Sequence, residues 1–178
     1  MSERRDTHLG RVVVTAEALR SRVEALGAEI TGSYQGRPPL LVGVLKGAFI
    51  LMGDLARAID LPLDVDFMAI SSYGSATRTS GVVRIVKDLD ADLTGRHVII
   101  VEDIVDSGLT LNYLRRNLAA RGPASLAVCA LLVKEGMQRV DPELAYVGFR
   151  IPPHFVVGYG LDEAERYRNL PYLCEYRA

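Results

Sequence analysis

Residues 97–111 read HVIIVEDIVDSGLTL, and this stretch indicates both a strand and a binding site. The apolar run over 98–101 predicts a buried strand, because short runs of this kind are typical of the core of a parallel sheet. Two carboxylates, Glu102 and Asp103, follow the run directly. Burial of carboxylates is costly unless water, a cation or hydroxyl groups satisfy them, so the pair indicates a binding site at the end of the strand.

The turn after the two acids predicts an anion site. It contains Asp106, Ser107, Gly108 and Thr110, and it precedes a segment with the pattern of a helix. Backbone N–H groups in such a turn point toward one place, where the helix dipole also favours negative charge. The two carboxylates can accept hydrogen bonds from hydroxyl groups, and the neighbouring turn can bind a phosphate. Together they fit a phosphorylated sugar.

The composition is typical of a soluble globular protein with one domain. The chain has 178 residues, a length that is enough for a full hydrophobic core. Hydrophobic residues make up 49% of it and charged residues 24%. A net charge of −1 gives no electrostatic reason to expect binding to nucleic acid or to an anionic membrane. No apolar stretch reaches the ~18 residues of a membrane helix, and Cys129 lies in an apolar run as expected of a buried thiol. We therefore expect a cytoplasmic protein.

Predicted strands alternate with predicted helices along the chain, which favours an α/β fold with a central, mostly parallel sheet flanked by helices. The predicted strands cover residues 40–45, 63–71, 82–87, 98–101, 126–133, 145–149 and 155–157, and the predicted helices cover 15–32, 48–59 and 111–121. The polar segment 72–81 is predicted to be a mobile loop. Ligands of such sheets bind at the carboxyl ends of the strands, where Lys46 and Lys134 join the two acids.

Residues 101–110, VEDIVDSGLT, resemble the phosphoribosyl pyrophosphate motif of the type I phosphoribosyltransferases. The ending Asp106-Ser107-Gly108 resembles the hypoxanthine-guanine branch of that family. The resemblance runs from about residue 12 to about residue 172. It implies a single phosphoribosyltransferase domain over 1–178, with a core of about 35–150 and a small hood built from the N-terminal segment and about 151–178. It also implies a homodimer or homotetramer.

The resemblance assigns the phosphoribosyl group to one continuous set of residues. The set is Glu102, Asp103, Ile104, Val105, Asp106, Ser107, Gly108, Leu109 and Thr110. The two acids would meet the ribose hydroxyl groups directly or through Mg²⁺, the implied cofactor, and the turn would hold the 5′-phosphate. Asp106 would act as the catalytic base near N7 of the purine, a role that contributes roughly 10²–10⁴-fold to the rate.

Further motifs complete the implied site. Leu45-Lys46-Gly47 resembles the family's pyrophosphate loop, in which a cis peptide before the lysine is typical, and Ser71-Ser72-Tyr73-Gly74 resembles the flexible lid. The implied pyrophosphate ligands are Lys46, Gly47, Ser72, Tyr73 and Arg168. The implied purine ligands are Lys134, Phe155, Val156 and Asp162. The implied metal ligands are Glu102, Asp103 and Asp162. Lys134 would donate to O6 of the base, and Phe155 would stack on it.

The resemblance implies a purine salvage enzyme. It would transfer the phosphoribosyl group from phosphoribosyl pyrophosphate to hypoxanthine or guanine, giving the nucleoside monophosphate and pyrophosphate. The alternatives are a xanthine-preferring phosphoribosyltransferase, a catalytically weak RNA-binding regulator of the same fold, and an inactive structural homologue. Asp106 and the absence of a dense Lys/Arg stretch argue against the regulator. The expected partners are therefore small-molecule substrates, without nucleic acid or membrane.

Overall fold

The structure is a computed structural model that describes residues 7–72 and 83–177. Of the segment 72–81, interpreted above as a lid, only Ser72 falls within this range, as the last residue of a strand. Tyr73 and the rest of the segment lie outside the described residues.

Two sheets and three helices make up the described part of the chain. In chain order the elements are β1 (Leu9–Val14), α1 (Ala16–Ser33), β2 (Pro39–Leu45), α2 (Phe49–Ala58), β3 (Asp64–Ser72), β4 (Val83–Lys87), β5 (His97–Val105), α3 (Leu109–Ala119), β6 (Ser125–Lys134), β7 (Tyr146–Ile151), β8 (Val156–Val157) and β9 (Leu173–Tyr176). The larger sheet has the order β4-β3-β2-β5-β6-β7, and all its strand pairs are parallel except β3–β4. The predicted fold class is confirmed.

The helices cover the two faces of the central sheet. α1 and α2 pack on the face that carries Ile99 and Val101, whereas α3 packs on the face that carries Val98 and Ile100. The side chain of Thr15 caps α1 by accepting a hydrogen bond from Ala18 N–H at 3.2 Å. No helix in the described ranges has the length and apolarity needed to cross a bilayer.

A second, antiparallel sheet with the order β1-β9-β8 joins the two ends of the chain. We did not predict β1 or β9, because they are short strands whose pairing partners are far apart in sequence and whose register is interrupted. Tyr159 lies just after β8, and its hydroxyl donates to Asp54 Oδ2 of α2 at 2.6 Å. Burial raises the pKa of Tyr159, so the hydroxyl stays a donor and holds this sheet on the core.

The structure corrects the predicted end of β5. Glu102 and Asp103 lie within the strand and do not follow it, because the ladder with β6 continues to the pair Val105–Val133. Helix α3 begins at Leu109, two residues before the predicted start. The acids are therefore held by the sheet itself, which fixes them more firmly than a loop would.

Candidate active site

The turn between β5 and α3 forms one wall of a cavity of about 180 Å³. The cavity is lined by Ile70, Glu102 and most of residues 104–111. Gly108 occupies the N-cap position of α3 in the left-handed conformation, with φ of 77°. The first bond of the helix runs from Asn112 N–H to the Gly108 carbonyl at 2.9 Å, so the amides before it have no intrahelical partner. This is the geometry of an anion site.

The two hydroxyl residues of the turn lie at the start of α3. Ser107 Oγ accepts a long hydrogen bond of 3.4 Å from Leu109 N–H. Thr110 is exposed in the first helical turn. The N-cap residue is a glycine and supplies no side-chain donor. The side-chain donors beside the amides of the turn are therefore these two hydroxyl groups.

The neighbouring acids of β5 contact different parts of the molecule. Glu102 is only 7% exposed and lines the cavity. Asp103 lies against Gly47, since a Cβ atom built on Gly47 would be 1.6 Å from Asp103 Oδ2. Successive side chains of a strand point to opposite faces, which explains the divergence. Glu102 therefore belongs to the wall of the cavity, whereas Asp103 contacts the loop after β2.

Burial raises the pKa of both carboxyl groups. Burial and the charge of Asp103 raise the pKa of Glu102 well above its ordinary value. Burial raises the pKa of Asp103 to about 6, although backbone hydrogen bonds and the Arg168 guanidinium act to lower it. Within residues 7–72 and 83–177, neither acid forms an ion pair. A buried and a half-buried carboxylate that form no ion pair in these ranges fit a hard divalent cation.

We expect Asp103→Asn to stabilise the free protein at pH 8 by about 1–3 kcal/mol. The raised pKa of Asp103 means that the native state binds its proton more tightly than the unfolded state does. The stability that the protonated Asp103 side chain contributes is therefore fully present below about pH 4, and it is lost as the pH rises through about 6. Urea unfolding at pH 4 and pH 8, with a chelator present, measures the effect. The exposed Asp60→Asn is the control, and an equal stability of wild type and Asp103→Asn at pH 8 would contradict the prediction.

The loop after β2 is packed between the acids and the chain that follows β8. The peptide bond Leu45–Lys46 is cis, as the resemblance implied. On one side Gly47 contacts Asp103, and on the other its carbonyl lies 2.1 Å from the position that a Cβ atom on Gly160 would take. A side chain at either glycine would collide with its neighbour, so both positions require glycine.

Charged side chains from residues 162–168 extend over this loop. Glu165 Oε2 pairs with Lys46 Nζ at 3.0 Å, and Arg168 pairs with Asp162 Oδ1 at 2.9 Å. The Asp162 carboxylate also accepts from Glu165 N–H at 2.8 Å, and the Nε atom of Arg168 is buried without a hydrogen-bond partner. The structure thus places Lys46 and Arg168 at one locus, where a polyanion would meet both cations.

The structure does not bring Asp162 together with the two acids of β5 as a metal cluster. Among the described residues, no group of three or more His, Cys, Asp or Glu side chains is arranged to hold a metal ion. Asp162 is instead engaged by Arg168. Its implied roles toward the metal and the base stay predictions.

Lys134 and Asp106 form the centre of the implied base site. They follow the last paired residues of two neighbouring parallel strands, and Lys134 Nζ lies 2.9 Å from Asp106 Oδ1. Phe155 is half-buried and packs edge-on against Tyr176, with ring centroids 5.9 Å apart. Val156 is buried in β8, so its backbone, and not its side chain, is what a ligand could meet.

Two residues with contacts in this region were missed by the sequence analysis. Glu165 holds Lys46, and Gln138 donates to the carbonyl groups of Lys134 and Asp106. Neither belongs to a motif, and both act on partners brought close only by folding. Composition and spacing gave no signal for them.

The fold and this geometry define an α/β protein in which a turn with the geometry of an anion site and two neighbouring acidic residues lie at the carboxyl ends of the strands. The sequence model of the phosphoribosyl transferase domain matches residues 13–164. The chain therefore belongs to the phosphoribosyltransferase family.

Individual relatives agree with this assignment. The chain is 56% identical over 168 residues to the hypoxanthine-guanine phosphoribosyltransferase of Mycobacterium avium, covering 91% of this chain and 83% of that protein. It is 50% identical over 163 residues to the enzyme of the same name from Bacillus subtilis, covering 92% and 91%. A crystal structure of a hypoxanthine-guanine phosphoribosyltransferase from Bacillus anthracis superimposes with a TM-score of 0.92 at 41% identity, covering 95% of this chain and 99% of that one.

Proposed function

We propose that this protein transfers the phosphoribosyl group from phosphoribosyl pyrophosphate to hypoxanthine and guanine, releasing pyrophosphate. The observation that carries the proposal is the pair Lys134–Asp106, separated by 2.9 Å beside the anion-binding turn. It presents a hydrogen-bond donor next to an acceptor. A 6-oxopurine offers the complementary edge, with O6 as acceptor next to a ring N–H as donor. The relatives described above carry the name of this activity.

In the proposed reaction, N9 of the base attacks C1′ of the sugar as pyrophosphate leaves. Asp106 accepts the ring proton, which makes the base a better nucleophile. Lys134 donates to O6 and fixes the orientation of the base. Phe155 supplies an aromatic face for the ring, with the Val156 backbone and Asp162 at the edge of the base.

The two ends of the sugar substrate are proposed to bind at separate anion sites. The 5′-phosphate occupies the turn of residues 106–110, where amides and the start of α3 favour negative charge. The pyrophosphate meets Lys46, Gly47 and Arg168, together with Ser72 and Tyr73. The proposed role of Arg168 is supported by its Nε atom, which is buried without a hydrogen-bond partner, since the guanidinium group of arginine suits phosphate oxygens. Binding would release Lys46 from Glu165.

Glu102 and Asp103 are proposed to bind Mg²⁺ together with the ribose hydroxyl groups. Because the described residues offer no cluster of three or more His, Cys, Asp or Glu side chains for a metal ion, water and substrate oxygens would complete the coordination. When bound, the ion would neutralise charge on the pyrophosphate. The acids themselves hold the sugar hydroxyl groups and orient C1′ toward the base.

The test is a comparison of purine bases with phosphoribosyl pyrophosphate, with magnesium or with a chelator. Hypoxanthine and guanine should be converted in the presence of magnesium, and adenine should react about 10⁴-fold more slowly, because its amino group would face the Lys134 donor. Lys134→Met should lower kcat/KM for hypoxanthine. Comparable conversion of adenine would contradict the proposed role of Lys134, and preferential conversion of xanthine would support the alternative base.

A homodimer or homotetramer is also proposed. Three large apolar side chains, Phe49, Val65 and Val86, are exposed. Val65 shares a strand face with Phe67, and Val86 lies on the same side of the sheet, because its neighbour Ile85 packs on the opposite one. Exposed apolar side chains on one side of the sheet favour association. Light scattering would measure the subunit number, and a monomer at micromolar concentration would contradict the proposal.

We further propose that the chain acts as one domain in the cytoplasm on small-molecule substrates. Cys129 and Cys174 are free, buried thiols, which suits a reducing compartment. Cell fractionation would test the location, and recovery of the protein outside the cytoplasm would contradict it.

A further inference from the structure

Residues 138–140 run beside the anion-binding turn. Gln138 Nε2 donates to the Asp106 carbonyl at 3.1 Å, and Arg139 N–H donates to the Ser107 carbonyl at 2.9 Å. Consecutive residues of one segment thus bind consecutive residues of the other in the same direction. One side-chain hydrogen bond and one backbone hydrogen bond thus hold the segment against the turn.

The next pair of residues continues this arrangement by packing. A Cβ atom on Gly108 would lie 3.2 Å from the side chain and the carbonyl oxygen of Val140. The left-handed glycine that begins α3 is therefore backed directly by the segment 138–140. This contact limits movement of the turn in the direction of the segment 138–140.

Gln138 makes a second bond that connects the turn to the base site. The same Nε2 atom donates to the Lys134 carbonyl at 2.5 Å. The backbone ladder between β5 and β6 ends at the pair Val105–Val133, immediately before the two residues that Gln138 connects. The amide group thus bridges two strand ends at the point where backbone pairing stops.

We infer that Gln138 is a positioning residue that sets the spacing between the Asp106 carboxylate and the Lys134 ammonium. The direct ion pair is a weak means of fixing this spacing, because the Asp106 side chain is 52% exposed. It also joins only the tips of two side chains. The Gln138 amide holds the two backbones from which those side chains extend. The consequence for catalysis rests on the proposed function.

The inference is tested with two substitutions that differ in their donors. Gln138→Met has a similar length but lacks both N–H donors, whereas Gln138→Lys keeps donors at a similar position. Misplacement of a catalytic group by about 1 Å costs roughly 10²-fold in rate. We expect kcat/KM for hypoxanthine to fall roughly 10- to 100-fold in Gln138→Met, with part of the loss in KM for the base. Gln138→Lys should stay within a few-fold of wild type.

Met137→Ala is the matched control, because Met137 is adjacent and 45% exposed. A loss of folded protein would lower the apparent kcat but would leave KM for hypoxanthine unchanged, so the KM separates positioning from stability. Equal impairment of the Met and Lys variants would overturn the inference, and so would a Met variant with wild-type kinetics.

Hydrogen exchange tests the same inference without activity. Amides of residues 106–109 should exchange at least several-fold faster in Gln138→Met than in wild type or Met137→Ala, because the support of the turn is lost. Unchanged exchange overturns the inference. A wild-type protein that converts no purine base would instead contradict the proposed function, and the exchange result would still decide the role of Gln138.

Discussion

Asp106→Asn is expected to lower kcat by about 10²-fold or more, with KM for phosphoribosyl pyrophosphate little changed. Asparagine keeps the size of the side chain, and its carbonyl oxygen can still accept a hydrogen bond from Lys134 Nζ, which lies 2.9 Å from Asp106 Oδ1. What it loses is the ability to accept a proton. The expected loss is therefore in the chemical step.

Steady-state and single-turnover measurements with hypoxanthine separate this effect from binding. The rate of the chemical step should fall in Asp106→Asn, and the limb of the pH–rate profile that reports the catalytic base should disappear. Asp60→Asn, which changes an exposed aspartate, is the matched control. If Asp106→Asn retains a rate within a few-fold of wild type, Asp106 is a structural residue of the turn, and the proton has another acceptor.

The main sheet and the location of the site could be predicted from the sequence. The apolar runs that became β2, β5 and β6 are long and buried on both faces, so tertiary context had little freedom to change them. In a parallel sheet the carboxyl ends share one edge. Lys46, Lys134 and the acids of β5 were therefore expected to meet there, and they lie at that edge.

The supporting contacts could not be predicted, because they join residues that are distant in sequence. Gln138 and Asp106 are 32 positions apart, and Glu165 and Lys46 are 119 apart. The end of β5 was also misplaced. The local pattern predicts that β5 ends before the charged residues Glu102 and Asp103. Pairing with β6 nevertheless extends the strand through both of them.

The divergence of Glu102 and Asp103 follows from that same extension. Adjacent strand residues point to opposite faces, so the two carboxylates contact different parts of the site. As a result, Glu102 lines the cavity beside the turn of residues 106–110 and Asp103 lies against Gly47. The loop that carries Lys46 is thereby in direct contact with Asp103, the acid that is proposed to hold the ribose hydroxyl groups.

Gly47→Ala is expected to lower kcat/KM for phosphoribosyl pyrophosphate by about 10²-fold or more. The added Cβ atom would lie 1.6 Å from Asp103 Oδ2 and 2.5 Å from its Cγ. The loop has little room to retreat, because its other side contacts Gly160. Either Asp103 or the Lys46 loop must therefore move, and each movement displaces a group that is proposed to bind the sugar pyrophosphate.

Gly53→Ala is the matched control, since Gly53 lies within α2 and a Cβ atom there would meet nothing within 4 Å. It should be neutral or slightly stabilising, by about 0.5–1 kcal/mol, because alanine favours the helix. A Gly47→Ala protein with wild-type kinetics would show that the loop relaxes freely and that its contact with Asp103 has no role.

The double variant Gly47→Ala/Asp103→Ala identifies the cause of the loss. If the collision with Asp103 is the cause, removing its carboxylate should restore the thermal stability lost in Gly47→Ala, so the two substitutions should be strongly non-additive in the free energy of unfolding. Activity should not return, because the double variant lacks the acid that is proposed to hold the ribose hydroxyl groups. Additive losses of stability would place the strain in the backbone of the loop and not at the carboxylate. Recovery of activity would remove Asp103 from the proposed sugar site.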